Sequence, residues 1–142
     1  MEPLIRKRLT LLLACLCLAS LVAAASARAQ VKGQDGMLGV DYMTGGISEE
    51  ERSAMDAAAA GYDLKLVFIN SDRAYLSNVR VSIERQDDHE VMLQVVTTGP
   101  WLYVSLPGGS YEVTAAVGDV DQSIAVDVTP GAVNTQYMLF QD

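Results

Sequence analysis

Residues 106–113 constrain the fold of this chain most, because they join two alternating runs of apolar residues through a Pro-Gly-Gly turn. Pro107 fixes φ near about −65°, and Gly108 and Gly109 accept positive φ, so the chain can reverse its direction here. Apolar residues recur at every second position on both sides of the turn, which predicts two strands that each bury one face. These positions are Leu102, Val104 and Leu106 before the turn, and Tyr111, Val113, Ala115 and Val117 after it.

Tyr111 opens the second of these two strands. Greek-key sandwiches often carry a tyrosine at such a corner, with its hydroxyl bonded to a nearby backbone group. A core tyrosine without that bond is the alternative, and the residues leave both open. We therefore expect Pro107, Gly108, Gly109 and Tyr111 to form a structural corner.

Five further runs read as strands, at residues 62–68, 79–84, 91–96, 123–128 and 134–140. In the run 91–96, Met92 and Val96 break the alternation, so the sequence does not show which face is buried. In the run 134–140, either Tyr137 and Leu139 or Met138 and Phe140 face inward. Ser48 and Glu51 predict a capping box at the start of a helix whose thin apolar face would lie on the sandwich. The predicted fold class is all-β, a seven-stranded antiparallel Greek-key (transthyretin/Ig-like) β-sandwich preceded by a short N-terminal helix.

The first 29 residues read as a secretory signal peptide, with a basic start, an apolar middle and an Ala-x-Ala ending. Cleavage is expected after Ala29, with Ala27 as a second position; an uncleaved anchor and lipidation at Cys15 are the alternatives. The predicted organisation is a signal peptide (1–29), a flexible glycine-rich leader (30–46), a helix (47–61) and a β-sandwich domain (62–142). The expected location is the periplasm or the exterior, with no membrane span after cleavage.

Cleavage changes the composition of the chain. Cys15 and Cys17 leave with the signal, so the mature protein has no disulfide and no thiolate metal site. Residues 1–29 carry a net charge of +3 and the whole chain −8, which leaves −11 on the mature protein. A charge of this sign disfavours nucleic acid as a partner, because the phosphates would be repelled.

Four motifs carry a family resemblance: Val79-x-Val81-x-Ile83, Gly99-Pro100-Trp101-Leu102, Leu106-Pro107-Gly108-Gly109-Ser110-Tyr111-x-Val113 and Gly46-Ile47-Ser48-Glu49-Glu50-Glu51-Arg52. Over about residues 45–140 the chain resembles the carboxypeptidase regulatory-like domain, above all its small secreted bacterial versions. The resemblance implies a transthyretin-like β-sandwich. In metallocarboxypeptidases such a domain accompanies the catalytic domain and carries no zinc ligands, and transthyretin-like hydrolases of purine breakdown use several histidines and arginines. This chain has one histidine, so no catalytic residue is carried over.

Three groups of residues carry candidate chemistry. Trp101 and Tyr103 alternate with buried positions, so they would face solvent, a partner or a sugar, unless they pack under the leader or the helix. His89 lies among carboxylates in a hairpin loop, as a proton shuttle or as a solvated loop tip. The acidic loops would bind calcium if both lay at one end of the sandwich. The carboxylates concerned are Asp87, Asp88, Glu90, Asp119 and Asp121.

These features favour a non-enzymatic secreted or periplasmic β-sandwich that acts as a protein-interaction or structural module, with no cofactor and no metal. Its partner would be an envelope protein, added to a free strand edge. The alternative is a carbohydrate or small-ligand binding module that uses exposed Trp101 and Tyr103. The sequence leaves the oligomeric state undetermined.

Overall fold

The computed structural model describes residues 31–33 and 40–141, so the predicted signal peptide lies outside the described residues. One α-helix, α1 (Glu49–Ala57), is followed by a 3-10 turn (Ala59–Gly61). The strands are β1 (Val31–Gly33), β2 (Tyr42–Gly45), β3 (Leu64–Asn70), β4 (Arg80–Arg85), β5 (Val91–Val96), β6 (Trp101–Val104), β7 (Gly109–Val117), β8 (Val120–Val128) and β9 (Asn134–Phe140).

The strands form two sheets, which makes the described residues a β-sandwich with one α-helix. The first sheet has the order β1-β2-β6-β3-β9, and the second has the order β5-β4-β7-β8. Every neighbouring pair is antiparallel except β3 and β9, which run parallel, with Leu64 beside Asn134. The pair is parallel because the chain leaves β8 in the second sheet and crosses to the end of the first sheet where β3 also begins.

Two details of the predicted fold class are therefore wrong. Residues 40–141 contain eight strands and not seven, since β2 forms within the segment that the sequence predicts as a flexible leader. The sheets are not purely antiparallel either. Tyr42 and Met43 of β2 are buried against β6, and this burial orders a glycine-rich segment that has weak strand propensity of its own.

The core lies between the two sheets and takes alternate residues from each strand. Tyr111, Val113 and Ala115 of β7 face inward, as the period of two predicts. On β9 the inward residues are Met138 and Phe140, which resolves the face that the sequence left open. The other buried members include Leu64, Leu66, Phe68, Val79, Val81, Ile83, Met92, Leu93, Leu102, Val104, Leu106, Val126 and Val128.

A β-bulge explains the irregular alternation along β5. The register between β4 and β5 shifts at Ile83 and Glu84, where Ile83 faces Leu93 and Glu84 faces Val91. The additional residue is Met92, so Met92 and Leu93 are both buried although they are adjacent in sequence.

Helix α1 begins at the predicted cap. The Ser48 hydroxyl accepts a hydrogen bond from the Glu51 amide at 3.1 Å, and the Glu51 carboxylate accepts one from the Ile47 amide at 3.0 Å. The helix ends at Ala57 and not at Gly61, which has no positive φ and is no left-handed cap. Within 31–33 and 40–141, no helix has the length and apolar character needed to cross a membrane.

Candidate functional site

Trp101 and Tyr103 lie on the outer face of β6, which turns away from the core. Their neighbours Leu102 and Val104 point inward, as alternation along a strand requires. Helix α1 covers the outer face, and its Met55 packs into the same cluster as the two aromatic rings. Trp101 is 9% exposed and Tyr103 is 1% exposed, so both rings are buried beneath the helix.

Polar contacts fasten α1 to this aromatic face. The Tyr103 hydroxyl donates to Asp56 Oδ1 at 2.6 Å, and Lys65 Nζ donates to the same oxygen at 3.0 Å. The Lys65 ammonium also lies 3.4 Å from the centre of the Trp101 ring, which is a cation–π contact. The Tyr103 hydrogen bond lowers the pKa of Asp56, while burial and the Asp56 carboxylate raise the pKa of Tyr103.

The interpretation of Trp101 and Tyr103 as exposed contact residues is therefore wrong, and their packing under the helix is the alternative that the structure contains. A sugar cannot stack on either ring while α1 covers them. The Trp101 indole nitrogen is buried and has no hydrogen-bond partner among the described residues. Sequence periodicity placed both rings on the outer face correctly, but it carried no signal for which face the helix covers.

The predicted corner contains the tyrosine-to-backbone bond. Tyr111 is fully buried, and its hydroxyl donates to the Pro107 carbonyl at 2.5 Å. Burial raises the pKa of Tyr111. Of the two turn glycines, Gly109 takes a positive φ of 154°. The corner is thus a structural element in which Pro107, Gly108, Gly109 and Tyr111 reverse the chain between the two sheets.

His89 occupies the tip of the β4–β5 hairpin. Its Nδ1 lies 2.7 Å from Glu84 Oε1, and its side chain is 82% exposed. Its φ of 58° is the left-handed conformation, which histidine tolerates better than most residues. An exposed imidazole with one carboxylate partner matches the solvated loop tip among the two interpretations of this residue.

The acidic loops lie at opposite ends of the second sheet. Arg85 of β4 faces Tyr111 of β7, whereas Arg80 faces Ala116, so the β4–β5 loop and the β7–β8 turn point away from each other. Two carboxylates of the first loop, Asp88 and Glu90, already pair with Arg85. A calcium ion shared between the two loops is therefore ruled out by distance. Across 31–33 and 40–141, no three metal-ligating side chains are grouped closely enough to hold an ion.

Strand β5 forms one edge of the second sheet and hydrogen-bonds to β4 only. Its six residues, Val-Met-Leu-Gln-Val-Val, include no charge, proline or glycine. Natural edge strands are usually protected by charges, prolines or a covering element. Gln94 and Val96 are exposed on this strand, and Val91 and Val95 are half-buried.

The other described edges are less available. The Gln122 side chain donates to the Leu139 carbonyl, and the Asn134 side chain donates to the Asp127 carbonyl at 2.9 Å, so β8 and β9 are joined to each other. At the remaining edge, β1 has three residues and includes Lys32. Among the described edge strands, β5 is the one that combines an uncharged sequence with the absence of a side-chain hydrogen bond to another edge strand.

A shallow groove of about 460 Å³ crosses the outer face of the second sheet beside β5. Small side chains form its floor, and no helix lies on it. One step along the same face, Glu84 and Glu112 stand directly opposite each other on β4 and β7. The lining residues are Arg80, Val81, Ser82, Gln94, Val95, Val96, Thr114 and Ala116.

A second exposed surface lies on the first sheet beside the part that α1 covers; it is formed by Tyr75, Tyr137 and Leu139, and Arg52 of α1 lies over the Tyr75 ring. Tyr137 and Leu139 of β9 stand beside Val67 and Ile69 of β3, and Tyr75 bridges to Ile69 from the other side. Tyr137 is 67% exposed and Tyr75 is 53% exposed. We call this surface the exposed apolar strip. Sequence reasoning missed it, because the alternation along β9 fits either face.

Comparisons with known proteins give matches among solved structures alone. No family model matches the sequence, and no curated protein matches it either. Among solved structures, a 5-hydroxyisourate hydrolase from Klebsiella pneumoniae is similar over 56% of this chain and 84% of its own, at 18% identity and a TM-score of 0.45. The two-sheet arrangement described above is that of a β-sandwich.

The expectation that this protein is not an enzyme is corrected by the same comparison, since the matched chain is a hydrolase. At this identity the likeness concerns the fold, so no residue role is transferred to this chain.

Proposed function

We propose that this chain is a periplasmic or secreted protein-interaction module, which binds an extended segment of an envelope protein as an added strand beside β5. Its sequence resemblance to the carboxypeptidase regulatory-like domain is part of the proposal. The signal-peptide pattern of residues 1–29 supports the location.

The observation that carries the proposal is the unprotected edge of β5. An edge strand presents a row of free backbone N–H and C=O groups, which is a template for another strand. When a peptide adds to such an edge, main-chain hydrogen bonds give the affinity and alternate side chains give the specificity. Strand β5 has enough length for this mode, because six residues is the usual length of a strand in a sheet.

Site-specific photo-cross-linking in cells tests the proposal. A photo-reactive residue at Gln94, which is exposed on β5, is expected to capture one dominant envelope protein. The matched control is the same residue at Ser123, which is exposed on β8 of the same sheet. Equal capture from both positions, or capture from Tyr137 of the exposed apolar strip but not from Gln94, would overturn strand addition at β5.

The location has its own test. The mass of the protein recovered from the cell envelope is expected to correspond to cleavage after Ala29, or after Ala27. A full-length mass would contradict the proposed signal peptide, and a lipid-modified mass beginning at Cys15 would favour the alternative of a lipoprotein.

A further inference from the structure

We infer that the segment which adds to β5 alternates apolar and basic residues. This inference rests on the proposed strand addition, and it names the chemistry of the partner. It is drawn from the two faces that the added strand would extend, since successive side chains of a strand point to opposite faces of a sheet.

The inner face requires apolar residues. Val95 points toward the interior beside Val81, and together with Leu76 it packs at the margin of the core while remaining half-exposed. Inward side chains of an added strand would lie next to Val95 and remove this apolar surface from water. Burial of apolar surface is favourable, so valine or leucine is favoured at these positions.

The outer face requires positive charge. Glu84 and Glu112 are cross-strand neighbours on this face, and like charges directly opposite each other destabilise a sheet. The sheet strands and hairpins over residues 80–96 and 109–128 contain two arginines against eight carboxylates. This part of the protein is complementary to a cationic segment.

Neither of the two arginines forms an ion pair with Glu84 or Glu112, although Arg85 lines the same pocket as both glutamates. Arg85 pairs with Asp88 and Glu90, and the Arg80 guanidinium donates to the Gly118 carbonyl at 2.8 Å. Glu84 is bonded only to the exposed imidazole of His89, and no cation of the described residues lies within ion-pair distance of Glu112.

The groove gives a basic side chain a place to lie. Its floor of Ser82, Thr114 and Ala116 runs from β5 across β4 to β7, beside Val96. A lysine or arginine of the added strand can lay its aliphatic stem along this floor and Val96, and keep its charged end in water near Glu84 and Glu112. The open groove thus accommodates a long side chain whose charged end extends toward Glu84 and Glu112, away from Arg80, which is the one charged residue of the lining.

Three synthetic peptides with alternating sequence test the inference on the mature protein: repeats of Val-Lys, Val-Gln and Val-Glu. Binding is followed by the amide chemical shifts of β5 and of the groove. We expect the Val-Lys peptide to bind about three- to tenfold more tightly than the Val-Gln peptide, the range for one or two exposed ion pairs. This preference should fall when salt is raised from about 0.1 M to about 1 M, which shortens the Debye length from about 10 Å to about 3 Å.

Matched variants separate a specific contact from general attraction. The double variant Glu84→Gln/Glu112→Gln should lose the preference for lysine, whereas Asp119→Asn should keep it, because Asp119 lies in the turn at the far end of the sheet. A Val-Lys peptide methylated on its backbone nitrogens retains its charge but cannot donate to the edge, so it should not shift the β5 amides.

The outcomes distinguish this inference from the proposed function. Equal binding of the Val-Lys and Val-Gln peptides at β5 would overturn the basic character of the partner and leave strand addition in place. Preference for Val-Glu, or binding of Val-Lys that the methylated peptide reproduces, would also overturn the inference. Strand addition itself is judged independently by capture from Gln94.

Discussion

The Tyr111 corner offers the sharpest test of how the fold is held together. Tyr111 is fully buried, and its hydroxyl is bonded to the Pro107 carbonyl. Tyr111→Ala removes a large buried ring and should lower the free energy of unfolding by about 3–5 kcal/mol, the usual loss for such a truncation. Tyr111→Phe removes only the hydroxyl and should lower it by about 1 kcal/mol, the net contribution of a typical hydrogen bond.

Urea denaturation followed by the fluorescence of Trp101, the single tryptophan, measures both variants. With an m-value of about 1.5 kcal/mol per molar urea, the alanine variant should unfold at a midpoint about 2–3 M lower than the wild type. Tyr137→Ala is the matched control, because Tyr137 is 67% exposed and its truncation should change stability by less than about 0.5 kcal/mol.

Two results would refute this reasoning. A loss below about 1 kcal/mol for Tyr111→Ala would mean that the surrounding core closes over the missing ring, so that the corner does not organise the sandwich. A phenylalanine variant as unstable as the alanine variant would mean that the hydroxyl contributes most of the stability and the ring little.

Three further predictions concern the outer face of the first sheet. Gly99→Ala should lower the free energy of unfolding by about 1–3 kcal/mol, because the new Cβ would clash with the Gly45 carbonyl oxygen. The control is Gly61→Ala, which has open space around it and should be close to neutral in the same urea assay. The wild type should have a higher free energy of unfolding than Asp56→Asn, because folding lowers the pKa of Asp56. This difference should be fully present above pH 3.8, the unfolded value, and should shrink as the pH falls through the lower folded value. A difference that grows in acid would contradict this. Trp101 should resist quenching by acrylamide and show no shift with sugars, since α1 covers it; easy quenching would mean that the helix is displaced in solution.

Periodicity predicts the strands of this protein well, because a strand that packs on a core must repeat every two residues. The same rule assigned Leu102 and Val104 to the inside and Trp101 and Tyr103 to the outside. It could not show that the outside is covered, because the contact between α1 and β6 joins parts of the chain that are distant in sequence. Strand β2 was not predicted for a related reason: it is ordered by burial against β6 and not by the strand propensity of its own residues.

The order of strands within each sheet also lies beyond the local pattern. The run Val-Met-Leu-Gln-Val-Val reads as a strand in any position, and only its neighbours make it an edge. The bulge at Met92 has the same origin, because the register of β5 is set by its pairing with β4. For this reason the sequence could name strand addition as a mode of binding but could not say which edge was free.

An open edge strand can pair with the same strand of another copy, and charge on the neighbouring strands can oppose that pairing. Two copies that paired through β5 would bring their acidic second sheets side by side, with Glu84 and Glu112 repeated on a continuous face. Repulsion between like charges disfavours this arrangement at moderate salt, while a basic segment meets attraction at the same edge. The carboxylates that destabilise the isolated sheet would thus serve to select the partner, and the absence of charge on β5 itself leaves the backbone available to it.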